Sequence, residues 1–142
     1  MIFTDRQHAG QLLGEKLLPY KEMDPIILAL PRGGVPVAAE IAATLNAPLE
    51  VLIVRKIGHP FQPELAVGAL CENEDPTWNE QMLSRAGLEP NEMGATVKAE
   101  ASRIRQQIET FREGRELPSM IKKVAIIVDD GLATGATVSA AV

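Results

Sequence analysis

Two runs in this 142-residue chain, residues 26–30 (IILAL) and 124–128 (VAIIV), contain nothing but apolar side chains. A strand with one wet face alternates apolar and polar residues. A strand buried on both faces, as in a parallel sheet covered by helices, reads as an unbroken apolar run. Residues 49–54 read as another such strand, and residues 65–70 as a fourth after the loop 58–63. Helical patterns lie between them. Thr4 is an expected N-cap for a helix over 5–18, where Ala9, Leu12, Leu13 and Leu17 recur at helical spacing and Pro19 stops the run. Residues 35–45 read as a helix ending near Asn46. From Pro90 to about Arg112, the residues Met93, Val97, Ala101, Ile104, Ile108 and Phe111 form one narrow stripe on a charged helix, with Gly114 as its C-cap. Residues 71–91 are acidic and turn-rich and yield no element.

Strands alternating with helices imply βαβ units. The expected fold is therefore α/β: a parallel-sheet, Rossmann-like core with flanking helices, in a single domain over residues 1–142. In such sheets ligands bind beyond the carboxyl ends of the strands. Three exits qualify: residues 31–36, 55–60 and 129–137.

Composition narrows the function classes. With 46% hydrophobic and 23% charged residues the chain has the makeup of a globular domain, and only 4% are aromatic, so Ile, Leu, Val and Ala must build the core. A net charge of −5 argues against a broad nucleic-acid or anionic-membrane surface, though not against a local basic pocket for a phosphorylated small molecule. Cys71, the single cysteine, excludes an internal disulfide and reads as a small buried hydrophobe in a reducing compartment. No apolar run approaches the ~18 residues of a membrane span. A cytoplasmic location is expected.

The exit at residues 129–137 carries the most chemistry. An apolar strand delivers two adjacent carboxylates, Asp129 and Asp130. A loop containing Gly131, Ala133, Thr134, Gly135, Ala136 and Thr137 then opens a helix. Loop amides and a helix N-terminus form a ready anion site, and the threonine hydroxyls add donors. Gly131 and Gly135 let the backbone approach the anion closely. Carboxylates beside a phosphate cradle suit a diol, such as the 2- and 3-hydroxyls of ribose. The plainer reading is a strand, a turn and a capped helix without a ligand.

VAIIVDDGLATGAT is similar to the phosphoribosyl pyrophosphate (PRPP) motif of type I phosphoribosyltransferases. The resemblance implies that Asp129 and Asp130 hold the ribose hydroxyls and that residues 133–137 hold the 5-phosphate. In hypoxanthine-guanine-type members an aspartate precedes T-G-x-T and acts at the purine ring. Here Ala133 stands there, as the adenine and uracil types tolerate, and no general base is visible in the motif.

A second constellation, Arg32, Gly33 and Gly34 after Pro31, combines a guanidinium fork with exposed amides at a strand end. It is also a common structural turn. It resembles the pyrophosphate loop of the same family. Arg55 and Lys56 read as two cations ending a strand, and by resemblance Lys56 meets pyrophosphate or a subunit boundary. The runs FTDR, AG, LPRGGVPVA, PELAVGA and FREGR resemble a bacterial subgroup of predicted phosphoribosyltransferases across essentially the whole chain.

The expected reaction displaces pyrophosphate from C1 of PRPP by a nitrogenous acceptor, with Arg32 and Lys56 as catalytic residues on the leaving group. Mg²⁺ is expected to arrive on PRPP's own oxygens, with no protein metal cage, and the assembly to be a homodimer. In this fold a longer helix, further strands and part of the base-recognising hood normally follow residue 142. The expectation is that these 142 residues alone turn over weakly or not at all. Two other classes stay open: a PRPP- or nucleotide-sensing regulator without transfer, and an assembly module using the Met93 to Phe111 stripe.

Weaker signals remain. His59, beside Pro60, reads as a loop residue, and His8 as part of an exposed helix face. Neither stands at metal-ligand spacing with Cys71. Glu64 reads as a surface acid. Arg103, Arg105, Arg112 and Arg115 fit either a charged helix face or, by resemblance, a flap over PRPP.

Overall fold

A computed structural model describes residues 2–131 and Ala141. In chain order the helices are α1 (Arg6–Lys16), α2 (Gly34–Leu45), α3 (Glu80–Ala86) and α4 (Gly94–Arg112). The strands are β1 (Pro25–Ala29), β2 (Leu49–Val51), β3 (Val54–Gly58), β4 (Ala66–Cys71), β5 (Pro76–Trp78) and β6 (Val124–Val128). Short 3-10 helices occupy Leu18–Met23 and Pro90–Met93. The chain forms two compact units, one from residues 2–52 and 115–131, the other from residues 53–114. No helix among the described residues is long and apolar enough to cross a membrane.

The first unit carries the parallel sheet, in the order β2-β1-β6. Because β1 is central, all five of its residues are buried, which explains its unbroken apolar run. Ile27, Ala29 and Val128 pack against Val37, Ala38, Ile41 and Leu45 of α2. Asn46 ends α2 in the left-handed conformation, as the sequence suggested.

Helix α1 departs from expectation in two ways. Its N-cap is Asp5, not Thr4: Asp5 Oδ1 accepts the His8 amide at 2.7 Å. Its buried face is Ala9, Gly10 and Gly14, whereas Leu13 is 37% exposed. A Cβ on Gly10 would stand 2.6 Å from the Val37 carbonyl oxygen, and one on Gly14 would stand 2.8 Å from Thr44 Oγ1. The α1 backbone thus lies directly on α2, against the Val37 carbonyl and the Glu40 and Thr44 side chains, and a pattern search that scores only large apolar residues misses that face.

The second unit is an antiparallel meander, β3-β4-β5. This corrects the expectation of parallel pairing throughout. Only seven residues separate β3 from β4. A parallel crossover needs a dozen or more residues, so so short a link forces a hairpin. The single strand expected at residues 49–54 is in fact two: β2 ends at Val51, and β3 begins at Val54 in the other sheet. The unreadable stretch after Cys71 supplies β5 and α3, the latter capped by Asn79 and closed by Gly87 at φ +67°.

Helix α4 matches the predicted stripe at Ala101 and Ile104, with Met93 fully buried just before it. It also buries Glu100 and Arg112, which the stripe did not include. Arg112 is 3% exposed and pairs with Glu72, whose Oε2 accepts the Ile53 amide at 2.8 Å. Arg103 pairs with Glu100 and Arg105 with Glu74. In the first unit Arg115 pairs with Glu50.

Candidate functional site

Register sets the site. In the parallel pair, Ala29 stands beside Val128, so the segments leaving β1 and β6 emerge side by side. The ladder continues one step further, with the Leu30 amide donating to the Val128 carbonyl at 2.9 Å. The chain leaving β1 turns tightly: the Gly34 amide donates to Leu30 at 3.0 Å and the Val35 amide to Arg32 at 3.1 Å. The Pro31–Arg32 peptide bond is cis.

Space constrains both glycines, Gly34 against backbone and Gly33 against a side chain that can swing aside. Gly33 has φ −60°, open to any residue, but a Cβ there would fall on the Asp130 carboxylate. A Cβ on Gly34 would stand 2.5 Å from the Val128 carbonyl oxygen and 3.1 Å from Asp129 Cα. The structure therefore brings Gly33 onto Asp130 and Gly34 onto Asp129, with Arg32 exposed at the same turn. Ala133, Thr134, Gly135, Ala136 and Thr137 lie outside the described residues.

The two carboxylates differ. Asp129 Oδ1 accepts the Asp130 amide at 2.8 Å. Asp130 Oδ2 accepts from Arg6 of α1, from Nη2 at 2.7 Å and Nε at 3.3 Å. The Arg6 guanidinium holds the Asp130 carboxyl below the usual carboxylate range. The two carboxylates stand on adjacent residues, an arrangement of acceptors that suits a vicinal diol. Arg6 lies in the FTDR run and is not among the expected site residues. Its partner stands 124 residues away in sequence, and no spacing rule reaches that far. The available signal was chemical: adjacent carboxylates call for a cation.

Arg55 and Lys56 correct another expectation. They do not end a strand but lie within β3, paired opposite Leu70 and Ala69 in the antiparallel sheet of the second unit. Both histidines serve the local backbone: His8 Nδ1 accepts the Thr4 amide, and His59 Nδ1 accepts the Phe61 amide, each at 3.1 Å. Glu64 is exposed. Cys71 is buried, and burial pushes its thiol up, away from thiolate chemistry. Among the described residues no three His, Cys, Asp or Glu side chains gather as a metal site. The oxygen donors at the β6 exit suit a hard cation that brings most of its own ligands.

The phosphoribosyl transferase domain family matches residues 5–142. Proteins from two strains of Mycobacterium tuberculosis, each described as a "putative phosphoribosyl transferase", are 44% identical over 140 residues, covering 99% of this chain and 32% of their own length. The chain thus spans about a third of these curated relatives. A crystal structure of TT1426 from Thermus thermophilus is 37% identical with a TM-score of 0.78, over 99% of this chain and 67% of that one. That agreement extends to the α/β fold with its parallel sheet and flanking helices. The chain belongs to the phosphoribosyl transferase domain family.

Proposed function

We propose that this chain carries the donor site of an enzyme that moves the 5-phosphoribosyl group from PRPP to a nitrogenous acceptor. The observation that supports it is the packing of Gly33 and Gly34 directly on Asp129 and Asp130. It joins an arginine-glycine turn and a diol-accepting carboxylate pair at the ends of two neighbouring parallel strands. In this reading Asp129 and Asp130 hold the ribose hydroxyls, Gly131 and residues 133–137 hold the 5-phosphate, and Arg32, Gly33 and Gly34 hold the pyrophosphate. The C1–oxygen bond to pyrophosphate breaks as a C1–nitrogen bond forms, and the acceptor nitrogen gives up its proton.

Most of the catalysis is positioning and charge stabilisation. The guanidinium of Arg32 and the ammonium of Lys56 balance the charge that pyrophosphate carries away. Mg²⁺, bound through the donor's own pyrophosphate and hydroxyl oxygens, supplies further neutralisation. A cytoplasmic homodimer acting in nucleotide metabolism completes the reading.

Calorimetry with magnesium-PRPP, followed by a pyrophosphate-release screen over purines, pyrimidines and other amines, tests the proposal. Replacing both Asp129 and Asp130 with Asn is expected to weaken donor binding on the order of a hundredfold. Equal affinity in the double variant, or no binding by the parent chain, would sink it.

A further inference from the structure

Arg6 stands where its own helix does not favour it. It is the first residue of α1, and the amide end of a helix carries partial positive charge, which suits acids and opposes cations. The first turn of α1 contains no acid, and the cap, Asp5, is already engaged by the His8 amide. Local helix physics thus gives no reason for an arginine at this position. The reason lies across the first unit, at Asp130.

The backbone of Arg6 is well anchored. The Thr4 amide donates to His8 Nδ1 and closes the start of α1. Gly10 and Gly14 seat α1 on α2, and α2 begins at Gly34, next in sequence to Gly33. The start of α1 and the turn after β1 therefore belong to one packed piece. The Asp130 carboxylate lies between them. It fills the space over Gly33 that a Cβ would take, and its Oδ2 accepts from Arg6 Nη2 at 2.7 Å and Nε at 3.3 Å. An exposed aspartate left to itself samples several χ1 wells. Gly33 leaves room for one of them, and the Arg6 fork keeps the side chain from swinging out of it.

We propose that Arg6 is a positioning residue of the donor site, holding the Asp130 carboxylate over Gly33 in the orientation that accepts a ribose hydroxyl. This role rests on the donor reading of Asp129 and Asp130, and it brings into that site a third segment, the start of α1. Arg6 acts through Asp130 and takes no part in bond breaking. Its contribution is preorganisation: selecting one of three staggered wells before the ligand arrives is worth about threefold in affinity. The guanidinium also holds the Asp130 carboxyl below the usual carboxylate range, so the side chain meets the sugar as an acceptor only. Because the pair is 59% and 35% exposed, its whole effect on binding is limited to about fivefold.

A double-mutant cycle tests this role, with magnesium-PRPP titrated by calorimetry into the full chain, Arg6→Ala, Asp130→Asn and the two combined. Arg6→Ala is expected to weaken binding about threefold to fivefold in the parent background and to change nothing once Asp130 is Asn. Arg6→Lys, which keeps the charge and loses the fork, is expected to fall between the parent and Arg6→Ala. A purely structural role for Arg6 would lower affinity equally in both backgrounds, and so would a direct contact with the ligand. Equal losses therefore overturn the positioning role, as does full affinity in Arg6→Ala. The two readings fail separately. Loss of binding on Asp130→Asn with none on Arg6→Ala removes only the role of Arg6. No binding by the parent chain, or equal affinity in the Asp129→Asn, Asp130→Asn double variant, removes the donor reading and the role of Arg6 with it.

Discussion

The two units use the same parts, three strands and supporting helices, and present them in opposite ways. In the first unit the strands run parallel, so their ends collect on one side, and its candidate chemistry sits there, on the turns after β1 and β6. In the second the strands run antiparallel, and its charged side chains stand along β3 and across from it on α4. The first unit offers carboxylates at its strand exits, and the second gathers cations in a cleft. Strand direction thus decides whether functional groups cluster at loop ends or along an element. They are also fixed differently, by backbone register in one case and, for Arg55 and Arg103, by ion pairs to the buried Glu100 in the other.

That difference can be broken from either side. The largest effect is expected for Arg112→Ala. The substitution leaves Glu72 without its guanidinium, and removing one partner of a buried pair costs about 3–5 kcal/mol. Denaturant unfolding reads the loss, and hydrogen exchange should rise in β4 and α4 before β1. An unfolding midpoint equal to the parent's would show that this pair does not hold the second unit together.

Gly34→Ala probes the other unit. The added methyl meets the Val128 carbonyl, and overpacking of this kind costs about 1–3 kcal/mol. Faster exchange should appear first in β1 and α2, together with weaker binding of magnesium-PRPP. Unchanged stability and donor affinity would mean that the close approach of the two exits is dispensable.

The smallest effect belongs to Arg6→Ala. The Arg6–Asp130 pair has side chains 59% and 35% exposed, and such pairs contribute about 1 kcal/mol at most. Arg6 lowers the folded-state pKa of Asp130, so its contribution is present above the unfolded carboxylate pKa and is lost as pH falls through the folded one. The stability difference between parent and variant should therefore shrink in acid. A difference that grows in acid would contradict the pairing.

The first unit was the more legible of the two. Its apolar runs, the Pro31 to Gly34 turn and the Asn46 cap are local signals, and β1, α2 and β6 followed them closely. The α1 face was missed because Gly10 and Gly14 bury backbone, which apolar periodicity does not register. The second unit was harder to read. The β3–β4 hairpin was written in the length of its loop, but apolar content alone suggested a parallel strand. Glu100 and Arg112 lie on the buried face of α4, where their partners, not their own chemistry, make them acceptable. Site residues within one motif were visible, whereas Arg6 depended on a contact between distant parts of the chain.

The β1–β6 pairing also has a consequence for synthesis. The two strands lie roughly a hundred residues apart, and at about 5–20 residues per second β1 waits on the order of 5–20 s for β6 to leave the ribosome. Through that interval β2 can protect only one side of β1, leaving an apolar strand edge bare in the nascent chain. The sequence that completes the carboxylate pair is therefore also the one that ends the period of greatest aggregation risk.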